Sequence, residues 1–213
     1  MSPERRFHAF VLAVTVAIMA TVLTYAPGGE HKTLEIIVAV LTGTGIRGMF
    51  LHTIEYLLDH WHGLKVRVLG GYFVEGKWVG YYVEEGRPIL VIETIRQEWS
   101  AVFANGRAFE IDGREFGLWE SIGAVVDGNR GILHGVYSGH FQPGHYDSVV
   151  SFQLEGKVPL KMVGYVSDIV VNPQASRVWM TKEKVEPNIS DAEALRTALG
   201  ILERSPMNVL KTY

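Results

Sequence analysis

The chain has 213 residues, no cysteine, 47% hydrophobic residues and a formal net charge of −3. Without cysteine there is no disulfide framework, no thiolate metal site and no thiol catalysis, and the near-neutral charge gives no bulk attraction to a DNA or RNA polymer. These averages hide an asymmetry: residues 1–62 are far more apolar than the rest.

The first element is Phe7 to Tyr25, FHAFVLAVTVAIMATVLTY, which holds no acid, lysine or arginine in 19 positions. As a helix it would be about 28 Å long, close to the hydrocarbon thickness of a bilayer. Arg5 and Arg6 precede it and Pro27-Gly28-Gly29 ends it. The pattern predicts a membrane helix. A signal peptide also begins with positive charge, but its apolar core is shorter, about 7–15 residues, and Ala26 offers a poor cleavage site. A buried core helix is the third reading.

The next run, LEIIVAVLTGTGIRGMFLHTIEYLL over 34–58, contains Gly43, Gly45 and Gly48 in the order G-x-G-x-x-G. A dinucleotide-binding reading needs an acid about 20 residues further on, in a repeated strand-helix-strand pattern. The segment 64–69 is LKVRVL, without an acid, and everything after Gly70 reads as strands. A second membrane helix accounts for more. Ala39, Gly43 and Arg47 are spaced by four and share one ridge, and small residues on a ridge let helices approach closely. Ala13, Ala17 and Thr21 give the first helix a matching ridge. We therefore expect a transmembrane hairpin over 1–62, assembling through Ala39, Gly43 and Arg47. A charge at mid-bilayer costs on the order of 2.5–3.5 kcal/mol. Arg47 either snorkels to the headgroups or joins His52 and Glu55 in a polar seam between hairpins. Arg5, Arg6, Lys65 and Arg67 flank the hairpin, and its loop has only Lys32, so both termini are expected in the cytoplasm.

From Gly71 to Lys184 short apolar runs alternate with turn signals at Glu85-Gly86, Asn105-Gly106, Asp112-Gly113, Asp127-Gly128, Pro143-Gly144, Glu155-Gly156 and Asn172-Pro173. Seven separators predict about eight antiparallel strands, an up-and-down, lipocalin-like barrel over 63–186. Such a barrel has room for side chains or one small ligand. Arg87 to Ala104 is too long for one straight strand and is expected to bend near Gln97. Ile89, Val91, Glu93 and Ile95 share one face, as do Leu133, Gly135, Tyr137, Gly139 and Phe141, but the pattern leaves open which face looks inward. In the tail, 187–213, Ser190 and Glu193 form a capping box before an apolar stripe of Leu195, Leu199 and Leu202. This short helix is expected to pack on the barrel.

No catalytic constellation stands out: there is no G-x-S-x-G elbow, Walker loop or H-E-x-x-H. The expectation is a non-enzyme without metal or cofactor. His60 and His62 read as interfacial residues. His134, His140 and His145 read either as a three-histidine zinc set or as ordinary surface histidines. Aromatic residues are interleaved with cations: Trp78, Tyr82, Tyr137, Tyr165 and Trp179 among Arg96, Lys161 and Arg177. Aromatic faces stack on bases and arginine forks grip phosphates, so these eight form the candidate ligand-binding set. The same aromatics also suit a small barrel core.

The order of parts now carries a resemblance. A two-helix hairpin, then Gly76-Lys77-Trp78, then a cysteine-free eight-strand barrel with IETIRQEW (92–99), LHGVYSG (133–139), GHYDS (144–148) and KMVGYV (161–166) resembles one family. It is that of the two-transmembrane, β-strand-rich effectors of bacterial cyclic-nucleotide antiphage systems, or CBASS. The resemblance implies an inner-membrane protein with a cytoplasmic barrel that binds a cyclic di- or oligonucleotide. Binding would control self-association of the hairpins and membrane disruption, killing the infected cell. Either arrival of the nucleotide or its loss would be the trigger. Gly-x-Trp also occurs in lipocalins, which makes a membrane-tethered carrier of a lipid or other apolar molecule the alternative.

Overall fold

The computed structural model describes residues 3–25, 45, 48–49, 51–53, 55–58, 60–84, 86–99, 101–141, 144–169, 175–183, 185–186 and 188–204. The chain divides into two compact units, Met1–Leu69 and Gly70–Tyr213.

The first unit contains helix α1, Pro3–Tyr25, and helix α2, His62–Leu69. Several residues between 45 and 60 are also helical. Threonines along α1 return their hydroxyls to carbonyls one turn back, as Thr15 Oγ1 does to Val11 O at 2.8 Å, so the helix exposes fewer polar groups than its sequence carries. Among the described residues no helix is long and apolar enough to cross a membrane. The expected hairpin is therefore not shown, and its assembly residues Ala39, Gly43 and Arg47 lie outside the described residues.

The second unit is a closed eight-stranded barrel in which each strand pairs antiparallel with its neighbour and β8 returns to β1. The strands are β1 Gly76–Glu84, β2 Arg87–Glu98, β3 Ala101–Phe109, β4 Glu115–Asp127, β5 Ile132–Phe141, β6 Gly144–Glu155, β7 Lys161–Asp168 and β8 Ala175–Thr181. Closure leaves no sheet edge to pair with another chain. One expected turn is corrected. Asn105-Gly106 lies inside β3, paired with Thr94 and Glu93, and the hairpin forms instead at Trp99. The reason is packing: a Cβ on Gly106 would lie 2.1 Å from the Trp119 ring. That glycine makes room for a side chain and does not supply a turn. Trp99 takes the turn with φ +52°, a left-handed conformation unusual for a bulky residue.

Strand alternation resolves the two faces. Trp78, Val91, Ile95, Val102, Leu133, Tyr137, Val150, Phe152, Met162, Val178 and Met180 converge in the lumen. Val79, Tyr81, Leu90, Ile92 and Phe109 face outward, beneath helix α3, Asp191–Arg204. The expected capping box is present, with Glu193 N donating to Ser190 Oγ at 3.3 Å and Ser190 N donating to Glu193 Oε2 at 3.4 Å. Ala194 and Ala198 are buried, and Leu195, Leu199 and Leu202 pack against the same outer cluster. Asp191 anchors the helix start through Lys77 Nζ at 3.1 Å and through Arg107.

One end of the barrel is plugged. A 3-10 turn, Gly70–Tyr72, leads into Phe73 and Val74, both buried. Gln97, with no exposed surface, holds this plug. Its Nε2 donates to Tyr72 O and Trp99 O, both at 2.6 Å, and its Oε1 accepts from Val74 N at 2.9 Å. Trp78 Nε1 donates to Val74 O at 2.7 Å. Lys182 Nζ lies 4.4 Å from the Phe73 ring centroid and 5.0 Å from that of Trp78, and donates to Glu75 O.

Candidate ligand-binding site

A buried carboxyl group, that of Glu93, lies on the lumen face of β2 between Val91 and Ile95. Glu93 is 1% exposed, and its Oε1 accepts from Tyr137 Oη at 2.7 Å. Removing a carboxylate from water disfavours its charged form. Burial raises the Glu93 pKa to about 7, and the tyrosine contact and the nearby Trp119 indole only partly oppose this. The Trp119 Nε1 is close enough to lower the Glu93 pKa, although it makes no hydrogen bond of full geometry. Burial, and secondarily the Glu93 charge, pushes the Tyr137 hydroxyl well above its usual value.

Around this pair the register sets the level of each side chain. Trp78, Glu93, Gly106, Trp119, Gly139 and Tyr146 form one row of cross-strand partners. Val91, Ala108, Gly117 and Phe141 form the next lumen-facing row, away from the plug. The Phe141 ring stacks on Trp119, with centroids 6.0 Å apart and planes at 12°. Glycines make this possible: a Cβ on Gly117 would lie 2.2 Å from the Phe141 ring, and one on Gly139 would lie 2.7 Å from it.

The eight residues of the expected ligand set divide between the two faces. Trp78, Tyr82 and Tyr137 are in the lumen cluster or packed against it. Burial, and then Glu84, raises the Tyr82 pKa. The other five face outward. Arg96 is 70% exposed and pairs with Glu98 at 3.0 Å. Lys161 lies 3.5 Å from Glu183. Tyr165 is exposed on β7, opposite Arg177 on β8. Arg177 lies 5.0 Å over the Trp179 ring, which in turn stacks on Tyr81. The structure does not bring the eight together in one cavity.

Sequence reasoning missed two places. One is the Glu93–Tyr137 pair; its only signal was an acid in an otherwise apolar alternating face. The other is an outer groove of about 360 Å³ across β2 to β6, floored by Ile92 and Leu118 and rimmed by Arg107, Glu120, His140 and His145. Arg107 is already bound to Asp191 and lies 3.7 Å from Glu115, so the groove presents no spare cation there. Ser138 Oγ lies 3.0 Å from His145 Nε2, and Asp147 Oδ1 lies 3.6 Å from the same nitrogen. A serine nucleophile relay needs the acid on the opposite ring nitrogen, so this trio is not arranged as one. The His140 and His145 rings are 4.6 Å apart. His134 pairs instead with Val125 and Ser151, six residues along β5. Among the described residues no three metal-ligating side chains converge, which leaves the three-histidine set without support.

Comparisons with protein-family models, curated proteins and solved structures return no match for this chain.

Proposed function

We propose that the chain is a membrane-anchored receptor and effector. Its N-terminal helices form the two-span hairpin, and its cytoplasmic barrel binds a cyclic di- or oligonucleotide, as in the antiphage effectors that the sequence resembles. The hairpin rests on the sequence, where Phe7 to Tyr25 is uncharged over 19 residues. Ligand controls the effector by differential affinity for the resting and assembled states. Assembly of hairpins through Ala39, Gly43 and Arg47 then disrupts the inner membrane. No catalytic step is involved.

The observation that carries this reading is the division of the lumen. One half is closed by a plug that the Gln97 side chain bonds, while the other holds a buried acid among aromatic rings beside a buried indole N–H that makes no hydrogen bond of full geometry. A buried polar group left unsatisfied calls for a reason, and a ligand supplies one. Calorimetric titration of the full chain in detergent micelles with a panel of cyclic dinucleotides tests the proposal. Saturable heat from at least one is the expected result; no heat from any member would sink it.

A second reading has its own observation. The residues that pack together in the lumen are largely apolar and aromatic, with Lys182 lying against Trp78 at the plugged end. That lining suits a lipid or other uncharged guest, carried by a membrane-tethered barrel. Native mass spectrometry showing a co-purified apolar molecule, with no nucleotide response, would favour it.

A further inference from the structure

Three of the outward-facing residues of the expected ligand set stand together on the barrel wall. Tyr165 on β7 and Arg177 on β8 are direct cross-strand partners, so their side chains leave the sheet about 4.5–5.5 Å apart. Trp179 follows two positions along the same face, and the Arg177 guanidinium carbon lies 5.0 Å from its ring centroid. Trp179 stacks in turn on Tyr81, with centroids 5.2 Å apart and planes at 19°, and both rings pack into the outer cluster beneath α3. The indole is thus a fixed platform on which the guanidinium rests.

Four other arginines of the barrel have carboxylate partners: Arg96 has Glu98, Arg107 has Asp191 and Glu115, Arg114 has Asp112 and Glu110, and Arg130 has Asp127. No ion pair among the described residues includes Arg177, and its Nε is buried without a hydrogen-bond partner. A cation desolvated on one side and left without a counter-charge is costly. The contact with the indole offsets about 0.5–2 kcal/mol of this. An anion at the two terminal nitrogens would offset more.

The donors select the kind of anion. A guanidinium grips two oxygens through parallel N–H groups. A carboxylate would spend both of its oxygens on that fork. A phosphate keeps another oxygen for a donor on the neighbouring strand, and Tyr165, 47% exposed, carries its hydroxyl there.

We propose that Arg177 and Tyr165 form a phosphate-binding subsite on the outer wall, open to a phosphate ester from solution or from a lipid headgroup. The subsite is independent of the nucleotide reading above: it lies on the outer face of β7 and β8 and calls for no base.

The test is nuclear magnetic resonance of the full chain in detergent micelles, following the Arg177 Nε–H and Trp179 indole N–H signals. The probes are inorganic phosphate, chloride at matched ionic strength, and phosphatidylglycerol added to the micelles. Wild type is expected to show saturable shifts with at least one phosphate source and none with chloride. Arg177→Lys keeps the charge but not the fork; read at the indole, it should weaken binding roughly tenfold or more, the scale for hydrogen bonds to a charged group. Tyr165→Phe should weaken it roughly threefold, the scale of one ordinary hydrogen bond. Because Tyr165 is exposed, this variant keeps the test decisive should Arg177→Lys misfold. A response to phosphatidylglycerol alone supports the subsite and assigns it to a headgroup; a response to free phosphate alone supports it and assigns it to a soluble ester. Equal shifts with phosphate and chloride, no shift with either phosphate source, or wild-type affinity in either variant overturns the proposal, and none of these outcomes touches the receptor reading.

Discussion

The two ends of the barrel lumen treat buried polar groups in opposite ways. At the plugged end, the Gln97 side chain makes three hydrogen bonds to backbone groups, and Lys182 lies against two aromatic rings. At the other end, Glu93 accepts a hydrogen bond from Tyr137 Oη at 2.7 Å, and the buried Trp119 indole N–H makes no hydrogen bond of full geometry. A satisfied buried network rigidifies a fold, and a partly satisfied one costs stability. The contrast separates the two ends: the plug is held by a satisfied network, and the Glu93 end keeps its buried polar groups less completely bonded.

The sharpest way to break the comparison is at the plug. Gln97→Leu keeps the volume but strands Val74 N, Tyr72 O and Trp99 O. It should cost roughly 3–5 kcal/mol, since each orphaned buried group costs about 1–3 kcal/mol. Urea unfolding followed by tryptophan fluorescence checks this, and a loss under about 1 kcal/mol would mean that the plug is not closed by Gln97.

At the Glu93 end the corresponding experiment is a pH series. The folded-state pKa of Glu93 is raised from 4.5 to about 7. A raised folded pKa means that the native protein binds the proton more tightly than the unfolded chain. Stability from this group is therefore fully present below about pH 4.5 and is lost as pH rises through about 7. The loss is at most about 3 kcal/mol, from 1.36 kcal/mol per unit. Glu93→Gln should flatten that part of the profile. A wild-type profile that rises steadily between these values, or a variant profile with the same slope, would assign the dependence to other groups.

The smallest effect is expected outside the lumen. Arg96→Ala removes an exposed side chain that pairs with Glu98 and covers Phe103. Surface pairs of this kind contribute about 0–1 kcal/mol. Nucleotide affinity and unfolding should both stay close to wild type. A large loss of affinity would move the binding surface from the lumen to the outer wall.

How much was legible in the sequence follows the same division. Turn chemistry and period-two alternation gave eight strands, the two faces of β2 and β5, and the capped helix over Ser190 to Leu202, because these depend on neighbours in sequence. The Asn105-Gly106 dipeptide misled, because a glycine can serve a distant ring as readily as a turn, and Trp119 is thirteen residues away. The turn at Trp99 was illegible because a bulky residue there is held by Gln97 and by the plug. The ligand set scattered for a related reason. Arg177 and Trp179 are two apart, as are residues on one strand face, but nothing local tells that this face lies outward on the barrel wall. Glu93 was visible only as an exception to an apolar pattern; its meaning came from Tyr137, 44 residues away.

The most direct measurement is an experimental structure of the full chain with a cyclic dinucleotide bound. The account predicts a nucleotide bound to the barrel with at least part of it in the lumen beside Glu93 and Trp119. A nucleotide seated only in the outer groove between Arg107 and His145 would contradict it.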